Sequence, residues 1–72
     1  MKFAAGDKVR DTLIVAGIPS ARVETVLRVD DQGVWLDNGS GNDPSGPFDS
    51  MTGELIGGEI PGLSIRRYIR PL

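Results

Sequence analysis

Apolar and polar residues in this chain alternate with a period of two far more often than they recur every three or four positions. Lys8-Val9-Arg10 runs charged, apolar, charged, the signature of a half-buried strand. Leu13-Ile14-Val15 continues it with apolar, mostly β-branched residues. Ala16-Gly17-Ile18-Pro19-Ser20 carries the breakers of a loop that returns the chain. Residues 21–29, ARVETVLRV, admit two readings. Val23, Val26 and Leu27 would line one face of a helix, but the capping-box position after Ser20 holds Val23 where Glu or Gln belongs. Val and Thr content favours a strand, with Val23, Thr25, Leu27 and Val29 on the core face and Glu24 and Arg28 on the other.

Asp30-Asp31-Gln32-Gly33 follows as a hairpin turn whose Gly reaches positive φ without a Cβ clash. Val34-Trp35-Leu36 is the return strand. Drawn this way, Val29 lies opposite Trp35 and the only tryptophan enters the core. Residues 38–47, NGSGNDPSGP, form an exposed, mobile loop without an apolar side chain. Phe48 and Met51 anchor the chain again, and Asp49 with Thr52-Gly53 suits a tight turn. Leu55-Ile56 is a strand stub, and Glu59-Ile60-Pro61-Gly62 turns once more. In the last strand, Ser64–Arg70, Ile65, Arg67 and Ile69 share one face and Arg66, Tyr68 and Arg70 the other.

Length sets what these elements can build. The 72 residues make a single small domain that buries only about 60% of its unfolded surface. Ten Gly and five Pro imply many turns and short elements. The expected fold is all-β: a small SH3-like barrel of about five short antiparallel strands with a long Gly/Asn/Ser/Pro loop. Closure protects strand edges and lets both faces of short strands find cover.

Composition removes several chemistries. With no Cys and no His, the chain cannot supply a disulfide, a Cys/His zinc site, a Cys/His nucleophile pair or a Ser-His-Asp triad. The segment 37–43, DNGSGND, places Gly39 and Gly41 where a calcium loop needs oxygen ligands. No catalytic residue, metal or cofactor is therefore expected, and so short a chain seldom encloses a catalytic cleft. MKFAAGDKVRD lacks the apolar core of a signal peptide, and no apolar run approaches the ~20 residues of a membrane span. A soluble, cytoplasmic protein is expected.

GDKVRD at 6–11 followed by VETVLRVDDQGVWLDNG at 23–39 resembles the start of small SH3-like barrels, both KOW-type domains and small accessory proteins of bacteriophages and prophages. PFDSMTGE at 47–54 and IRRYIRPL at 65–72 are similar to the phage-type proteins. The shared positions are mostly turn and core positions, so the resemblance implies a fold and no catalytic residue. The acidic middle departs from the KOW pattern.

That middle defines the candidate sites. Residues 30–59 contain seven acids and no Lys or Arg, whereas 60–72 contain three Arg and no acid. The net charge of −2 thus conceals an acidic and a basic region. Asp30, Asp31, Asp37, Asp43 and Asp49 are the candidate protein-contact residues, offering a carboxylate surface to a basic partner on a host or virion protein; as plain turn formers they would do nothing further. Arg66, Arg67, Tyr68 and Arg70 are the alternative, a basic strand with an aromatic among the charges that suits nucleic acid. Trp35 and Tyr68 could instead form a groove for a Pro-rich peptide, against the commoner role of Trp35 as core. Self-association through strand edges would make the chain a homo-oligomer.

Overall fold

A computed structural model describes residues 3–37, 44–57 and 64–72. Among them are five strands: β1 (Lys8–Val15), β2 (Ile18–Asp30), β3 (Gly33–Asp37), β4 (Ser45–Phe48) and β5 (Ile65–Pro71). No helix occurs among the described residues. The strands form one antiparallel sheet in the order β4-β3-β2-β1-β5, curled into a half-barrel. The small barrel-like all-β fold expected from the sequence is the fold observed.

What completes the curl is the segment 53–56. Leu55 bridges to Phe48 of β4 while Glu54 bridges to Tyr68 of β5. Backbone bonds tie it on both sides: the Leu55 N–H donates to the Arg67 carbonyl at 3.0 Å, and the Ile56 N–H to the Pro47 carbonyl at 2.9 Å. Part of the edges of β4 and β5 is thereby paired within the chain. Gly53 makes the approach possible. It sits at φ +80°, its carbonyl accepts from the Ile69 N–H at 2.7 Å, and a Cβ there would lie 2.2 Å from the Ile69 carbonyl oxygen.

Val9, Val26, Val34, Leu36, Phe48 and Ile69 fill the interior, with Phe3 and Leu55 packed against them. Above this apolar layer lies a charged one. Asp11 on β1 and Glu24 on β2 are both buried. Arg67 reaches in from β5 and donates from Nε to Asp11 Oδ1 at 3.0 Å and from a terminal nitrogen to Oδ2 at 2.6 Å. Its guanidinium also lies 5.2 Å from the centre of the Phe48 ring. Asp11 holds the guanidinium charged, raising its pKa above the ordinary value against the opposing effect of burial, with Glu24 adding to the attraction. The Arg67 stem and head thus roof the apolar core.

Several expectations need correction. Trp35 is outside the core: Val34 and Leu36 point inward, and Trp35 lies on the opposite face of β3. The turn residues are Asp31 and Gln32 alone, so Asp30 pairs with Gly33 and Arg28, one residue earlier than Val29, with Trp35. A one-residue slip reverses every side chain. The facing of β2 is also reversed over half its length. Val26 pairs with Leu36 whereas Arg28 pairs with Trp35, so Leu27 is an extra residue that breaks the alternation. Val29 keeps the inner-face pairing with Val34, while ahead of the bulge Glu24 and Val26 turn inward and Val23 is 57% exposed.

The remaining differences concern turns. The loop at 16–20 is only the Ala16-Gly17 turn, since Ile18-Pro19-Ser20 belong to β2, a strand of 13 residues and not a short one. Ser45-Gly46-Pro47 belong to β4 instead of the long loop, whose residues 38–43 lie outside the described ones, as does the turn at 59–62. Phe48 anchors the chain as expected, but Met51 is 72% exposed.

Two stability measurements follow. Arg67→Ala leaves Asp11, only 3% exposed at its side chain, as a buried carboxylate without a partner, and should cost about 3–5 kcal/mol in urea unfolding. Asp11→Ala should cost less, because the Arg67 side chain is 22% exposed and can turn its charge to water. Gly53→Ala should cost about 1–3 kcal/mol by combining strained φ with the clash at Ile69. Wild-type stability in Arg67→Ala would refute the roofing role, and wild-type stability in Gly53→Ala the closing role.

Candidate functional site

The five acidic candidates do not all share one surface. Asp30 closes the β2–β3 turn: its Oδ1 accepts the Gln32 N–H at 2.9 Å and the Gly33 N–H at 3.2 Å. Trp35 Nε1 donates to the same carboxylate at 3.0 and 3.1 Å, and Arg28 Nε at 3.3 Å. The Arg28 guanidinium lies 4.8 Å from the Trp35 ring centre. This network is what holds the indole on the outside. Desolvation pushes the Asp30 carboxyl up, but the bonds from Trp35, Gln32, Arg28 and Gly33 together outweigh it and hold the pKa below the usual value.

Asp49 acts likewise, accepting from the Met51 and Thr52 N–H groups at 2.7 and 3.1 Å, which lower its pKa. These two carboxylates are therefore committed to their own turns. Asp31 is exposed in the β2–β3 turn, Asp37 is exposed at the far end of β3 across from Thr25, and Asp43 lies outside the described residues. Trp35 and Tyr68 sit on strands separated by β2 and β1, so they do not make one groove.

The basic candidates divide by strand alternation. Arg67 points inward to Asp11 and is a structural residue. Arg66, Tyr68 and Arg70 share the outer face of β5. Both flanking guanidiniums lie against the tyrosine ring, at 4.9 Å for Arg66 and 4.7 Å for Arg70. Arg66 Nε donates to Glu54 Oε1 at 2.9 Å, and one Arg70 terminal nitrogen donates to the Thr52 carbonyl at 2.8 Å.

β1 adds what the sequence reading missed. Arg10 pairs directly with Arg70, and Thr12 with Tyr68. The alternation around Val9 did signal that Arg10 faces outward, but only strand pairing sets it opposite another arginine. Two like charges directly across a sheet are unfavourable. Arg10 has no hydrogen-bond or ion-pair partner among the described residues. Between these strands lies an open depression of about 470 Å³, lined by Arg10, Thr12, Tyr68, Arg70, Pro71 and Leu72.

This face can bind anions: it presents guanidinium donors, a hydroxyl and a phenol on a fixed strip of sheet. It holds no nucleophile–base pair, and no group of three or more acidic side chains is placed to hold a metal ion among the described residues. No helix among them is long and apolar enough to cross a membrane. No family model, curated protein or solved structure matches the chain.

The Asp30 and Asp49 caps give the fold an acid limb. Their folded pKa values lie below the ordinary 3.8, so the stability they contribute is complete above that value and is lost as pH falls through the lowered ones. Thermal melts should be flat from pH 7 to about 5 and fall below about 4. Asp30→Asn should lower the melting temperature at pH 7 and flatten that fall. Trp35, as the only tryptophan, should change its fluorescence as Asp30 protonates; a pH-independent emission down to pH 2 would contradict the bond.

Proposed function

We propose that the chain is a non-catalytic binding module whose outer β1–β5 face takes the phosphate backbone of single-stranded nucleic acid. One observation carries this reading: Arg10 and Arg70 are set directly opposite each other, beside Arg66 and Tyr68, on a face with no acid nearer than Glu54 among the described residues of those two strands and the closing segment. A bound phosphate relieves the repulsion between the two guanidiniums and is the ligand for which arginine forks are suited. The strip spans two strands and, from Arg66 to Arg70, about 13 Å, which suits one polynucleotide strand better than a duplex. Tyr68 has a guanidinium against it on either side, so the strip addresses phosphates and not base identity.

Docking of a basic protein surface is the second reading. The β2–β3 turn lies against the start of the Asp49 turn, since a Cβ at Gly33 would meet the Phe48 carbonyl, and this brings Asp30, Asp31 and Asp49 to one end of the barrel. With two of the three carboxylates already accepting backbone hydrogen bonds, this end offers less than the arginine face.

Fluorescence polarisation with a labelled oligonucleotide of mixed sequence separates the two. Binding should weaken with salt with a log–log slope of about −1.4, as expected for two neutralised phosphates on a single strand, one between Arg10 and Arg70 and one at Arg66. Arg10→Glu with Arg70→Glu should reduce affinity at least about tenfold; because Arg70 also donates to the Thr52 and Ile69 carbonyls, a thermal melt checks that the double variant is folded, and Arg10→Glu alone should weaken binding without a loss of fold. No binding at 20 mM salt, or equal binding by the double variant, would reject the proposal and favour the acidic end.

A further inference from the structure

The depression between Arg10 and Arg70 has more donors than a phosphate inside a polynucleotide can use. A phosphodiester presents two non-bridging oxygens and one negative charge, whereas a terminal monoester presents three oxygens and about −1.5 to −2 at pH 7. On the donor side, Arg10 spends nothing within the described residues. Arg70 spends one terminal nitrogen on the Thr52 and Ile69 carbonyls and retains Nε and the other terminal nitrogen. The Thr12 side chain shares the outer face, one position along from the Arg10–Arg70 pair. Pro71 and Leu72 add an apolar wall beside the Tyr68 phenol. An open row of evenly spaced cations would suit any stretch of backbone. Two guanidiniums opposite one another, a hydroxyl beside them and an apolar wall suit an end group.

We infer that this depression is a phosphomonoester pocket, which takes the phosphorylated end of a nucleic-acid strand between Arg10 and Arg70, with Thr12 donating to the third oxygen and the terminal sugar against Pro71 and Leu72. This deepens the proposed function and rests on it. Arg66, four residues from Arg70 along the same face, then meets a phosphate further along the strand.

Three labelled oligonucleotides of one sequence test it, with a 5′-phosphate, a 3′-phosphate or hydroxyls at both ends, each titrated at pH 7.5 and pH 5. The expected result is at least a tenfold preference for one phosphorylated end at pH 7.5. The preference should shrink at pH 5, where the monoester loses its second charge, whose pKa is about 6. Thr12→Val should remove most of the preference while leaving the affinity for the hydroxyl-ended strand within about twofold, and its thermal melt checks that it is folded. Equal binding of all three strands overturns the end pocket and leaves the backbone interface standing. Absence of binding to any of them overturns both. A preference that survives in Thr12→Val and in Arg10→Gln overturns the assignment to this depression.

Discussion

The fork between Asp11 and Arg67 is the interaction on which the barrel depends. Six apolar residues are enclosed, and the layer above them is charged. Arg67 lies against the Phe48 ring with its aliphatic stem over the core, and Asp11 fixes the head by two parallel bonds. A bidentate guanidinium–carboxylate pair is directional as well as strong, so it specifies the β1–β5 register in a way that Val and Ile contacts cannot. Register matters here because the outer face follows from it. If Arg67 faces inward, then Arg66, Tyr68 and Arg70 must face outward, and Arg10 must meet Arg70.

The alternation of a single strand was legible in the sequence where the strand is regular. In β5 it separated Ile65, Arg67 and Ile69 from Arg66, Tyr68 and Arg70, and the structure keeps that division. In β2 it failed, because an extra residue at Leu27 shifts the phase and no composition signal marks a bulge made by leucine. Val23 and Thr25 looked like core by the same rule that worked in β5. Glu24 looked like surface, and its burial beside Arg22 and near Arg67 depends on a charged layer that only the folded sheet assembles. Turns were legible as turns. That Asp30 and Asp49 would spend their carboxylates on backbone N–H groups was foreseen as the plainer use of such residues, and the geometry of both bears it out. The arginine opposite Arg70 was invisible, since pairing between β1 and β5 joins residues about sixty positions apart.

Trp35 shows how a polar network can decide the place of the largest apolar side chain. Burial of an indole is worth several times the stabilisation of an exposed hydrogen bond, so a tryptophan in so small a domain is expected inside. Three constraints keep it out. Pairing of Asp30 with Gly33 sets the phase of β3, Asp30 accepts the indole N–H, and Arg28 covers one face of the ring. Gly46 leaves room on β4, where a Cβ would come within 3.4 Å of the indole. Val34 and Leu36 fill the inner positions instead, beside Phe48.

Alternate residues of β5 therefore serve opposed ends. Arg67 is locked: its carboxylate partner is buried, and exchanging that partner for an outside anion would open the core. Arg66 is only loosely held, because its pair with Glu54 is exposed on both sides and such pairs contribute about 0–1 kcal/mol. Arg10 and Arg70 are held by nothing of opposite charge among the described residues, and their repulsion subtracts a few tenths of a kcal/mol from a stability of only about 4–11 kcal/mol for a chain of this length. Arg66 and Arg70 on the outer face of β5, with Arg10 opposite Arg70, make a locally cationic strip on a chain whose net charge is −2.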